Sequence, residues 1–209
     1  MLYDKRALYL RLENKLSELN FSYEFPLNAE KLAKREDLSI LLHPFESDAI
    51  GAVLYKDKCN AILLNSNKSL QDQRFDIAHE LIHFWFHPTQ TSFSFQKPHQ
   101  RDKEKEWQAN EGAAELLLPY RDFIPRFVHI AKYVEENYEP LEIIYTQLAH
   151  FYQVAPIVVD YRIRNLEAEI LQYVQGCPIE KLTLIRTFTP FDKNRQPVIY
   201  KSFIQKINA

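Results

Sequence analysis

Hydrophobic residues recur with a helical period over most of the chain. Leu8 and Leu12 begin a series of leucines spaced three or four residues apart within residues 4–20. This spacing predicts an amphipathic helix that packs against the rest of the protein. The polar stretch at residues 28–37 predicts a second, short helix with Asn28 as its N-cap.

The next part of the chain has a strand pattern. Two apolar runs, residues 50–55 and 61–64, flank a polar tetrad at residues 56–59, which predicts a β-hairpin. His43 precedes the hairpin in a predicted loop, and no other histidine stands at ligand spacing from it. We therefore expect His43 to be structural or solvated.

A third helix is predicted from about Leu70 to His87, with Ser69 as its N-cap and Pro88 as its stop signal. Its apolar residues cover more than one stripe of the helix surface. A helix that is apolar over most of its circumference is buried. Polar side chains on this helix therefore need buried partners.

Three such polar side chains stand together in the sequence HELIH at residues 79–83. Positions i and i+4 share a helix face, so His79 and His83 can direct their imidazoles at one point, where a divalent metal would satisfy both. Glu80 lies about 100° around the helix from His79. Its carboxylate is better placed to accept a proton from a water than to bind the metal. Alone, the motif also fits a helix with two structural histidines.

A fourth helix is predicted over residues 104–118. Glu106 is a candidate third ligand, and Asn110, one turn later, could hydrogen-bond the outer nitrogen of a liganding histidine. The alternative is that Glu104, Glu106 and Glu111 form a solvated acidic face. The polar segment at residues 88–103 before this helix could border a substrate cleft or form a surface loop.

The C-terminal third is predicted to be mainly helical. A helix is expected over residues 120–137, and residues 141–170 have helix-turn-helix-like spacing with Pro156 at the start of the second helix. Two strands are expected at residues 182–188 and 197–203, around a polar turn.

DNA binding by the segment 141–170 is disfavoured by its charge balance. Its second helix carries Arg162 and Arg164, which could face DNA, but Asp160, Glu167 and Glu169 offset them. A helical hairpin packed on the rest of the protein is the preferred interpretation.

Composition narrows the class of protein. The chain has 209 residues, of which 46% are hydrophobic and 26% charged, which suits one large globular domain or a main domain with a small appendage. The formal net charge of -2 argues against a protein whose main task is to coat DNA or an anionic membrane. The two cysteines, Cys59 and Cys177, form no CxxC motif. Two isolated cysteines do not indicate a disulfide framework. The N-terminus is charged and the chain has no apolar run of ~20 residues, so the sequence predicts a cytoplasmic protein without a membrane span.

The segment RFDIAHELIHFWFH, followed by EKEWQANEGAAELLLP, resembles the ImmA/IrrE-type zinc metallopeptidases. Their pattern runs RF-x-x-AHELGH-x-x-x-H and then E-x-x-AN-x-FAAELLMP. The resemblance implies that His79, His83 and Glu106 bind zinc, with manganese as an alternative, and that Glu80 is the general base. Asn110 takes the position of the family's asparagine.

Two positions depart from the family pattern. Ile82 replaces the glycine of HELGH, and Gly112 replaces the aromatic residue before the two alanines. A bulky residue on one helix and a missing side chain on the other suggest compensating packing. No ligand or base is lost. His87, Tyr120 and His99 are candidates for a further donor to the oxyanion, and His87 is too far along the helix axis to bind the metal.

The expected fold class is α+β: a mostly helical, zincin-like metallopeptidase core with a small antiparallel sheet over residues 1–125. A helical, helix-turn-helix-like C-terminal region with a terminal β-hairpin is expected over residues 126–209. The resemblance implies an endopeptidase that cuts a specific protein, a helix-turn-helix repressor of stress or mobile-element genes. The alternative is a non-catalytic, metal-containing regulator that binds DNA or a partner protein through its C-terminal helices.

Overall fold

A computed structural model describes residues 4–45, 51–56, 59–87, 102–186, 189–192, 195, 197 and 201–208. Within these ranges the protein is mostly helical with one small sheet, which confirms the α+β class. The elements in chain order are α1 (Lys5–Glu18), α2 (Ala29–Arg35), β1 (Leu38–His43), β2 (Gly51–Lys56), β3 (Cys59–Asn65), α3 (Leu70–Phe86), α4 (Lys103–Leu117), α5 (Tyr120–Glu136), α6 (Glu142–Tyr152), α7 (Pro156–Asn165), α8 (Glu167–Val174), a 3₁₀ turn (Ile179–Lys181) and α9 (Lys201–Asn208).

The three strands form one mixed sheet in the order β1-β3-β2. β2 and β3 are antiparallel, with Val53 opposite Ile62, and this pairing confirms the predicted hairpin. The turn predicted between them includes residues 57–58, which lie outside the described residues. β1 pairs with β3 in parallel, with Ile40 opposite the same Ile62.

β1 is the element that the sequence does not predict, so the expected antiparallel sheet is mixed. Leu38 is buried at the start of β1, whereas Leu41 and Leu42 are exposed. The strand therefore lacks the alternation of apolar and polar residues by which a half-buried strand is recognised. His43 ends β1 rather than lying in a loop, and it is exposed beside the ring of Phe45, as expected of a solvated residue.

α3 contacts α4 as well as β2 and β3, and this packing explains its apolar character. Every residue from Phe75 to Ile82 is buried, which confirms the predicted buried helix. The Ser69 hydroxyl caps the helix by accepting a hydrogen bond from the Asp72 backbone N–H at 3.1 Å, as predicted. His79 and Glu80 therefore enter the protein interior on a well-defined helix.

The C-terminal helices follow the prediction as far as α7. α5 and α6 form as expected, and Pro156 is the first residue of α7. The expected boundary between residues 125 and 126 falls inside α5, and the division of the chain there stays a prediction. In the described part of the chain, every helix is too short or too polar to cross a bilayer. The cytoplasmic location likewise stays a prediction.

The predicted terminal hairpin is wrong in the residues that the structure describes, and residues 187–188 and 198–200 of its two strands lie outside them. Residues 182–186 form no strand, and side chains bond part of their backbone. The Gln172 amide bonds both N–H and C=O of Thr183, each at 2.9 Å, and Glu169 accepts from Ile185 N–H at 2.7 Å. Residues 201–203, expected in the second strand, begin α9. Its apolar residues have helical spacing and are buried against α5 and α8: Phe203, Ile204 and Ile207.

A buried ionic cluster joins α1, α4 and α7. The Arg162 guanidinium is fully buried and donates to Glu111 Oε1 at 2.9 Å, to the Tyr9 hydroxyl at 2.8 Å and to Glu115. Its Nε donates to the backbone carbonyl of Leu118 at 2.9 Å. Arg162 therefore cannot face DNA, although its position in the sequence made it a candidate.

Candidate metal site

The site lies where α3 packs on α4. His79 and His83 are one turn apart on α3, and Glu106 lies in the first turn of α4, where the Asp102 side chain caps the helix. The ligand atoms of these three residues all lie within 4.8 Å of one another. His79 is buried, whereas the side chains of His83 and Glu106 are 21% and 24% exposed to solvent. The group is therefore accessible to solvent on the side of these two residues.

The distances fit a single small cation. Nε2 of His79 and Nε2 of His83 are 3.1 Å apart. Nε2 of His79 lies 3.7 Å from Oε2 of Glu106, and Nε2 of His83 lies 3.5 Å from Oε1 of Glu106. A zinc ion bound tetrahedrally at about 2.0–2.1 Å holds its ligand nitrogens about 3.3 Å apart. Two imidazole nitrogens and one carboxylate are also the ligand set of a catalytic zinc site with an open position.

Asn110 orients His79. Its side-chain oxygen Oδ1 lies 3.0 Å from Nδ1 of His79, and this contact matches the predicted hydrogen bond from Asn110 to one of the liganding histidines. A carbonyl oxygen can only accept a hydrogen bond, so a neutral His79 has its proton on Nδ1. Nε2 of His79 is then unprotonated and presents its lone pair toward His83 and Glu106. This arrangement suits a metal ligand whose ring is fixed from behind.

Glu80 follows His79 on α3 and is also buried, with 6% of its surface exposed. Its carboxylate is not among the three groups that converge. The structure therefore brings together a His-His-Glu group, which can hold a metal, and buries the carboxylate of the residue that follows His79 on the same helix. Such an arrangement can combine a Lewis acid with a general base.

The other candidates from the sequence have different surroundings. Tyr120 lies beyond the opposite end of α4 from Glu106, where its ring stacks on Tyr9 and its hydroxyl accepts from Arg121 at 3.1 Å. His99 and most of the predicted cleft loop, residues 88–101, lie outside the described residues. The solvated acidic face is wrong for Glu111, which is buried with Arg162.

Sequence reasoning missed Gln108 and gave His87 no partner. Nδ1 of His87 lies 3.0 Å from Nδ1 of His83, and Nε2 of His87 lies 2.8 Å from Oε1 of Gln108. Burial lowers the pKa of His87 below its ordinary value, which favours the neutral ring. Two spacings could have indicated this contact: His87 is one turn beyond His83, and Gln108 lies two residues beyond Glu106.

A family of peptidases matches the part of the chain that carries this site. Residues 33–164, more than half of the chain, match the peptidase family described as the IrrE N-terminal-like domain. The chain belongs to this family, which confirms the resemblance seen in its sequence.

A particular relative is Metallopeptidase ImmA from Bacillus subtilis (strain 168), to which the chain is similar. The two are 28% identical over 119 residues, which make up 56% of this chain and 64% of that protein. The chain thus matches less than two thirds of the length of this relative.

Proposed function

We propose that this chain is a zinc-dependent endopeptidase, with manganese as an alternative metal. The observation that carries the proposal is the convergence of His79, His83 and Glu106, together with the burial of Glu80, the residue after His79. The donor set supports zinc because imidazole nitrogens suit zinc better than they suit magnesium or calcium. The name of the Bacillus subtilis relative supports the same class of activity.

The roles of the four residues follow from their chemistry. His79, His83 and Glu106 hold the metal, and the Asn110 side chain keeps the His79 lone pair directed at it. When bound, zinc acidifies a water ligand to a pKa of about 7 and polarises the scissile carbonyl. Glu80 accepts the proton of the attacking water and delivers it to the leaving amine. Burial of Glu80 keeps its carboxylate away from bulk solvent.

The substrate in this proposal is a specific protein, a helix-turn-helix transcriptional repressor. The support is the resemblance to the ImmA/IrrE-type peptidases, in which the paired motifs on α3 and α4 occur in the same order. The alternative regulator that binds DNA has lost support in the described part of the chain. Arg162 is buried, and Arg164 donates to Asp160 at 2.8 Å on the same helix.

The test uses the purified chain and a helix-turn-helix regulator encoded beside it. We expect defined fragments of the regulator by mass spectrometry when zinc or manganese is added, and intact regulator in excess chelator. Glu106→Ala should leave the regulator intact, and Glu104→Ala should cut it. An intact regulator with the metal-loaded protein, together with specific, salt-sensitive DNA binding by the chain, would contradict the proposal and favour the alternative regulator.

A further inference from the structure

Gln108 and His87 form a hydrogen-bonded chain that ends at the candidate ligand His83. Gln108 is on α4, His87 caps the end of α3, and the two contacts along the chain measure 2.8 and 3.0 Å. All three side chains are partly buried, so water competes less for these hydrogen bonds than at an open surface.

The chemistry of the terminal amide fixes the direction of every hydrogen bond in the chain. Oε1 of Gln108 is a carbonyl oxygen and accepts, so Nε2 of His87 carries the proton. A neutral imidazole has one N–H, which leaves Nδ1 of His87 as an acceptor. The 3.0 Å contact between the two Nδ1 atoms then requires that Nδ1 of His83 donates.

The consequence is at the other nitrogen of His83. With its proton on Nδ1, Nε2 of His83 is unprotonated and faces Nε2 of His79 at 3.1 Å, which the Asn110 contact also leaves unprotonated. Neither nitrogen can donate to the other. Two lone pairs and the Glu106 carboxylate thus converge, an arrangement that a cation would stabilise.

We propose that His87 and Gln108 are positioning residues that fix the tautomer and the ring orientation of His83 for metal binding. The inference rests on the proposed metal site and deepens it. Three residues of α4 then contribute to the site. Glu106 is a metal ligand, Asn110 hydrogen-bonds His79, and Gln108 hydrogen-bonds His87, which in turn contacts His83. Oriented outer hydrogen bonds of this kind raise the basicity of a ligating imidazole and hold its ring in place.

The experiment measures the zinc dissociation constant by competition with a chromogenic chelator. We expect His87→Ala and Gln108→Leu each to weaken zinc binding about 10- to 100-fold. Gln108→Glu keeps an acceptor oxygen and should stay within about three-fold of the unaltered protein. His129→Ala removes an exposed histidine of α5 and serves as the matched control for histidine loss. Unchanged zinc affinity in Gln108→Leu overturns the proposed role of the Gln108–His87–His83 hydrogen bonds, even if His87→Ala binds zinc weakly.

A second measurement needs no substitution and remains informative if a variant fails to fold. Long-range ¹H–¹⁵N NMR spectra of the zinc-loaded protein report which nitrogen of each imidazole carries the proton. We expect His83 protonated on Nδ1 and His87 on Nε2. Metal binding through Nδ1 of His83, or a His87 proton on Nδ1, overturns the proposal. Loss of zinc binding in the unaltered protein would instead remove the proposed peptidase site itself, so the two failures are distinguishable.

Discussion

Ile82 on α3 packs directly onto Gly112 on α4. A Cβ atom at Gly112 would lie 2.9 Å from both Cδ1 and Cγ1 of Ile82, closer than two carbon atoms can approach. The resembled family has the opposite arrangement, with glycine at the position of Ile82 and an aromatic residue at the position of Gly112. In this chain the Ile82 side chain therefore fills the space beside Gly112, as the compensation hypothesis expects.

This contact predicts a non-additive pair of substitutions. Gly112→Ala should cost about 1–3 kcal/mol of unfolding free energy through overpacking, offset by about 1 kcal/mol from the better helix propensity of alanine. Ile82→Ala alone should cost about 2–5 kcal/mol because Ile82 is fully buried. The double variant should be more stable than the sum of the two changes predicts, by about 1 kcal/mol or more, in urea unfolding.

The control for this cycle combines Gly112→Ala with Leu148→Ala. Leu148 is fully buried on α6, so its truncation makes a comparable cavity elsewhere. We expect additivity within about 0.5 kcal/mol for that pair. Additivity of the Ile82 pair as well would contradict direct compensation between α3 and α4.

The metal site predicts that zinc stabilises the fold through Glu106. At a free zinc concentration of about 100 times the dissociation constant, the unfolding free energy should rise by about 2.7 kcal/mol, and a chelator should reverse the gain. Glu106→Ala should lose most of it. Glu104 lies in the same helical turn, and Glu104→Ala should keep the gain in unfolding free energy. An undiminished gain in Glu106→Ala, measured by thermal unfolding with and without zinc, would show that zinc binds elsewhere.

Glu115 predicts a stability that depends on pH. Burial raises the pKa of Glu115 to about 7 from an ordinary value of 4.5, outweighing the lowering effect of the Arg162 guanidinium. The folded protein therefore holds this proton more tightly than the unfolded chain does. The resulting stabilisation is present below about pH 4.5 and is lost as the pH rises to about 7, and it amounts to at most about 3 kcal/mol.

The comparison of Glu115→Gln with the unaltered protein isolates this effect, because other titrating groups cancel in the difference. Between pH 5 and pH 8, urea unfolding should show the unaltered protein losing stability relative to Glu115→Gln. An equal pH dependence for both proteins would mean that Glu115 ionises in the folded state as it does in the unfolded chain.

Local patterns predicted the chemistry of the site better than the rest of the fold. The i,i+4 spacing of His79 and His83 depends on helix geometry alone, and a buried helix follows from its apolar residues. Glu106 and Asn110 needed the family motif as well, since nothing local brings α4 to α3.

The features that sequence reasoning missed depend on contacts between distant segments. The local sequence indicates that Arg162 is an exposed basic residue. In the fold, Glu111 and Glu115 of α4 pair with it in the interior. Residues 201–203 of the strand expected at 197–203 belong to α9, whose burial depends on packing against α5 and α8. Gln108 was missed because its role depends on the position of His87, and no local pattern fixes that position.

In the proposed mechanism, Glu80 acts as the base for a metal that it does not bind. The most direct test compares the rate of substrate cleavage by the zinc-loaded protein and by Glu80→Gln, with the zinc content of both samples measured by elemental analysis. We predict equal zinc content and a rate lower by about 10²- to 10⁴-fold in Glu80→Gln. Cleavage at the unaltered rate by Glu80→Gln with its zinc retained would contradict the role of Glu80 as the base.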